Sequence, residues 1–162
     1  MPMDSLSDLL KHELGDLLFA EKTIVKTTKK LSKEVKDPVL LERMQRHLVE
    51  TEQQIKNLER AFETIGERAK AEKCPGILGL VEEHDEFKKD EEPSKPMLEA
   101  FDLGTALRIE HYEIAAYNTA IAIAKAMGNR DCALALGENL AQEVEMEKFL
   151  RANAVKALKQ LA

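Results

Sequence analysis

The sequence predicts an all-α fold of four long antiparallel helices, with a long connection between the second and third that carries a short helix of its own. Three observations predict it. Ala, Leu, Glu and Lys dominate the 162 residues, only 4% are aromatic and Trp is absent, which is the composition of long helices. Apolar residues recur in alternating steps of three and four along four separate stretches. The five prolines all fall at the ends of those stretches or between them. An apolar share of 44% fills one core, so residues 1–162 are expected to form a single domain.

The first helix is expected over about residues 5–35, capped by Asp4 or Ser5, with Leu6, Leu10, Leu17, Ile24, Thr28 and Leu31 as its core stripe. Lys36-Asp37-Pro38 ends it and starts the second, because Asp37 is a good N-cap and Pro38 has no N–H to leave unpaired in the first turn. The second helix, 38–65, has the most regular seam: Leu41, Met44, Leu48, Thr51, Ile55, Leu58, Phe62 and Ile65, stopped by Gly66. Residues 67–95 hold Cys74-Pro75-Gly76, a charge run and Pro93, with Pro96 just beyond, and read as a connection. Ile77, Leu78, Leu80, Val81, His84 and Phe87 predict a short helix inside it, since a structureless loop of that length is unusual. The third helix is expected over 96–127 with Leu103, Leu107, Ile114, Tyr117, Ile121 and Ala124 inward, and Gly128-Asn129 as its stop. The fourth fills 131–161.

Two helical hairpins joined by a connection long enough to cross the molecule make the topology of ferritin-like bundles. The net charge is −6 with both signs interspersed, so no basic stripe is available for nucleic acid. No apolar run reaches the length of a membrane span, and the first residues lack the regions of a signal peptide. A cytoplasmic protein without membrane or nucleic-acid partners is therefore expected. Cys74 and Cys132 stand apart, outside any zinc spacing, and read as free thiols. Phosphate loops, nucleophile elbows and organic-cofactor signatures are missing.

The chemistry lies in the polar residues that interrupt the seams. Glu13 and Glu21 do so in the first helix, His47, Glu50 and Gln54 in the second, Glu110 and Glu113 in the third, and Glu143 and Glu147 in the fourth. Counting from a turn near residue 36 brings Glu21 level with Thr51; counting from one near 129 brings Glu110 level with 148 and Glu113 with 145. Acids from several helices thus fall in one layer. Burying them uncompensated costs many kcal/mol, and two divalent ions are the most economical countercharge, because carboxylates with imidazole suit iron or manganese. Residue by residue a plainer reading competes: a solvated flank for each Glu, a core or surface position for His47 and His111, a cross-helix hydrogen bond for Gln54. Tyr112 and Tyr117 would be redox-active neighbours of such a site, although Tyr117, on the seam, reads first as core packing.

His47-x-x-Glu50-Thr51 with Gln54, Glu13-Leu14 with Ala20-Glu21-Lys22, and Glu110-His111-Tyr112-Glu113 resemble the YciE/YciF family over nearly the whole chain. The resemblance implies a ferritin-like, stress-associated bacterial protein that forms homodimers. Carried onto this sequence, the ferritin-like ligand pattern implies Glu21, Glu50, Glu110 and Glu143 as carboxylate ligands of two Fe or Mn ions, with redox chemistry toward O2 or peroxide. Gln53 and Met146 stand where that pattern has histidines. Three arrangements stay open: a rearranged pair using His47, Glu113 or Glu147, a single-metal site, or a bundle that binds no metal and serves a protein partner.

Overall fold

The computed structural model describes residues 3–33 and 35–162. They form five helices and no strand: α1 (Leu6–Leu31), α2 (Pro38–Thr64), α3 (Pro75–Asp90), α4 (Lys95–Ala126) and α5 (Arg130–Leu161). The starts of α1, α2 and α5 fall where expected because capping chemistry is present there. Ser5 Oγ accepts from the Asp8 N–H at 3.1 Å, Asp37 Oδ1 from Leu40 at 2.8 Å and Asn129 Oδ1 from Cys132 at 3.1 Å, each pairing a backbone donor with no partner inside the helix. Gly66 and Gly128 follow the ends of α2 and α4 at φ 72° and 71°, the left-handed turn that favours glycine.

Two of the expected helix bounds need correction. The first helix stops at Leu31 rather than near Val35: the Ser32 N–H bonds both the Lys30 and Thr28 carbonyls, and Lys29 and Lys30 occupy its last turn, where basic side chains favour termination. Glu34 lies outside the described residues. The helix in the connection is longer than expected, 16 residues, with Pro75 in its first turn.

The helices pack α1 on α2 and α4, α5 on α2 and α4, and α3 chiefly on α4, so the four long helices close a cycle. Neighbours in it run antiparallel. Thr64, Asn57 and Arg46 of α2 meet Asn129, Asn139 and Glu145 of α5 in turn, and His111 and Tyr117 of α4 meet Glu147 and Asn139. One apolar cluster joins Leu10, Leu14, Leu17 and Leu18 to Leu58, Phe62 and Leu136. In α1 the inward row is therefore Leu10, Leu14, Leu17, Glu21 and Ile24, in steps of four and three, with Leu14 rather than Glu13 in the slot beside Leu17. Leu6 is exposed. In α2 the buried row is His47, Thr51, Gln54, Leu58 and Phe62, whereas Leu41, Met44, Leu48 and Ile55 flank it half-buried. The polar rotation of α2 matters, because it turns His47 and Gln54 into the core.

Candidate metal centre

Beyond the leucine cluster the interior becomes polar. Glu21 from α1, His47 and Gln54 from α2, Glu110 and Glu113 from α4, and Glu143 from α5 are all buried. One ligand atom from each of His47, Glu110 and Glu143 falls within 4.8 Å of the other two, with His47 Nε2 3.5 Å from Glu110 Oε1. Gln54 donates its amide to Glu143 Oε1 and to Gln142 Oε1. The Tyr117 hydroxyl donates to Glu21 Oε1 and accepts from Asn139 Nδ2 at 3.0 Å. Asn139 in turn accepts from Asn57 Nδ2 at 2.8 Å.

The donors run out before the acceptors do. Both oxygens of Glu113, Oε2 of Glu110, Oε2 of Glu143 and Nδ1 of His47 are buried without a hydrogen-bond partner. Burial, reinforced by the Glu143 carboxylate, raises Glu21 well above the usual carboxylate range. Burial, with Glu143 and then Glu21 beside it, does the same to Glu110, and burial with Glu21, Glu143 and Glu110 around it lifts Glu113. Burial also raises the Tyr117 hydroxyl, with Glu21 adding to the effect. These groups either hold protons or share a cation. Lone pairs without donors, hard oxygens and one imidazole are the donor set of a divalent ion such as iron or manganese, so the residues present fit such a group.

Glu50 and Glu147 are not gathered into this layer. Arg43 Nη1 and Arg46 Nε each lie 2.9 Å from a Glu50 oxygen. His47 beside Glu50, together with the two guanidiniums, holds its carboxyl down at about 2. Glu50 Oε2 also faces His47 Nδ1 at 3.6 Å, beyond hydrogen-bond distance, where its negative charge favours the tautomer that keeps the proton on Nδ1 and leaves the Nε2 lone pair facing Glu110. A carboxylate that fixes the tautomer of a ligating imidazole is a common partner of metal sites. Glu147 is paired with Arg151 and His111, and the Arg151 guanidinium lowers its carboxyl below the ordinary value. Of the two residues that replace histidines, Gln53 bonds Asn57 at 3.2 Å and Met146 is buried.

The α4/α5 register matches expectation, since His111 Nε2 lies 3.4 Å from Glu147 Oε1. On α2, Gln54 rather than Thr51 reaches the layer of Glu21 and Glu143. Tyr117 is more than core packing, and Asn57, Asn139 and Arg43 were not anticipated. A signal existed: Asn139 lies four residues before Glu143, Asn57 three after Gln54 and Arg43 four before His47, all on the helix face of an identified residue.

The profile of the DUF892 family, a domain of unknown function, matches residues 5–162. The chain belongs to the DUF892 family. Its resemblance to YciE/YciF also holds: the YciF protein of Escherichia coli (strain K12) is 32% identical to this DUF892 chain over 144 residues, 88% of this chain and 86% of that protein. The crystal structure of the E. coli stress protein YciF matches with a TM-score of 0.88 at 30% identity, covering 97% of this chain and 99% of that one. YcfI from Rhodopseudomonas palustris matches with a TM-score of 0.86 at 35% identity, covering 92% and 94%. This DUF892 member thus shares an all-helical fold with a stress protein. No helix among its described residues is long and apolar enough to cross a membrane.

Proposed function

We propose that this is a stress-associated ferritin-like bundle, α1–α2 and α4–α5 being its hairpins and residues 67–95 its crossover, that holds divalent metal among Glu21, Glu110, Glu113, Glu143 and His47. The observation that carries the reading is Glu113: it is fully buried, neither oxygen meets a donor, and its charged neighbours are Glu21, Glu143 and Glu110. A bound pair of iron or manganese ions would supply redox chemistry toward O2 or peroxide. The chain's own part is to present the carboxylates, to orient His47 through Glu50, to hold Glu21 through Tyr117, and to exclude water with the leucine cluster. We carry forward the single domain, the homodimer and the cytoplasmic location as parts of this proposal.

The test is metal content after purification without chelator, followed by calorimetric titration with Mn2+. Binding is expected, and Glu21→Gln or Glu110→Gln should weaken it by about tenfold or more. Stoichiometry near zero, with unchanged stability in both variants, would sink the reading. A second reading, a metal-free bundle that binds a protein partner, draws on Gln53 and Met146 in place of histidines and on the Asn57, Asn139, Tyr117 and Glu21 chain, which satisfies part of the layer without an ion.

A further inference from the structure

A continuous polar path joins the buried layer to solvent on the face between α2 and α5. Glu110 and His47 lie 3.5 Å apart, His47 and Glu50 3.6 Å, Glu50 and Arg46 2.9 Å, and Arg46 and Glu145 3.2 Å. Side-chain exposure rises along it, from 4% at Glu110 and His47 and 11% at Glu50 to 64% at Arg46 and Glu145. Arg46 spans the mouth. It grips Glu50 on its own helix with Nε and Glu145 on the opposite helix with Nη2, so one guanidinium ties α2 to α5 over the path. Arg43, under the Phe149 ring with 6.0 Å between Cζ and the ring centroid, keeps the other Glu50 oxygen occupied.

The geometry points to Arg46 as a latch on the route by which a divalent cation reaches the interior, with Glu50 as the first carboxylate the cation meets once the latch opens. This rests on the metal-site reading. A cation passing here must displace Arg46 from Glu50, then move past His47 to Glu110 and Glu143. The latch closes again behind it, so it governs rates of entry and exit rather than the equilibrium between them. The arm to Glu145 suits this role, because both of its side chains are exposed and such a surface ion pair is weak enough to open readily.

The experiment follows Mn2+ uptake from a fluorescent chelator by stopped flow, and release into excess EDTA, in the full chain. Glu145→Gln frees one arm of Arg46. Uptake and release should both quicken by about two- to fivefold, the size of one exposed ion pair, while affinity stays within about twofold. Removing a negative charge would on its own slow a cation's approach, so faster uptake separates a latch from simple attraction. Arg46→Ala should quicken both rates further, and Arg46→Lys should resemble it rather than the parent, because an ammonium cannot bridge with the guanidinium's fork. Lys29→Ala breaks an exposed α1–α2 pair of similar exposure and should leave the rates alone. Unchanged or slower uptake in Glu145→Gln overturns the latch, as does an equal response to Lys29→Ala. If the unaltered chain and Arg46→Ala both fail to take up Mn2+, the metal-site reading falls and takes the latch with it.

Discussion

Glu113 has the least support of any carboxyl in the layer, and replacing it isolates what that costs. Its folded pKa, like those of Glu21 and Glu110, is raised by burial, so the folded chain binds more protons than the unfolded chain between the two values. Stability from these groups is complete below the unfolded pKa and declines as pH rises through the folded one. Glu50 works the other way, its contribution being present above the ordinary carboxylate value and lost as pH falls toward about 2. Glu113→Gln removes the need to hold a proton. In metal-free protein it should raise stability by about 1–3 kcal/mol at pH 8, and by less at pH 5, as read by urea unfolding; a loss at pH 8 would show that the ionised side chain has a partner. Glu21, Glu110, Glu113, Glu143, His47 and Gln54 were legible in the sequence because each interrupts a seam. Glu50 and Glu147 were not separable from them, because their fate is decided by Arg43, Arg46 and Arg151, flank residues that a scan of the seams passes over.

At the scale of an element, the entry to α3 is set by a close approach that no periodicity reveals. Cys74 caps α3 without a side-chain bond. Its buried Sγ lies 2.8 Å from the Tyr112 hydroxyl of α4, and a Cβ on Gly76 would come within 2.6 Å of the Tyr112 ring. Gly76→Ala should therefore cost about 1–3 kcal/mol of stability through overpacking. The cost should shrink to within about 0.5 kcal/mol when Tyr112→Ala is also present, a coupling that thermal unfolding of the four variants measures. Equal costs in both backgrounds would place the strain elsewhere. The starts of α1 and α2 were readable because Ser5, Asp37 and Pro38 carry their capping chemistry locally, whereas Asn129, read only as part of a stop, also caps α5. The early stop of α1 and the inward rotation of α2 were not, since packing against neighbours selects which side of a broad apolar stripe turns inward.

Across the whole molecule, the four long helices each have two neighbours in the cycle, while α3 lies chiefly on α4. The sequence carried the number of long helices and the place of the connection, which prolines and capping residues punctuate. How firmly the connecting helix is held could not be read from it. Ile77 is the one fully buried residue of α3, helped by the Phe87 and Phe101 rings, 3.7 Å between centroids, and by His84 Nε2, 2.7 Å from Asp102 Oδ1. That amounts to about 2–4 kcal/mol of local attachment. In hydrogen exchange the α3 amides should then open at about that free energy, well before those of α5, which should follow global unfolding; equal protection of the two helices would contradict it. On that expectation the helix over Tyr112 lifts first, well ahead of the backbone of α5, the helix that carries Glu143 into the acidic layer.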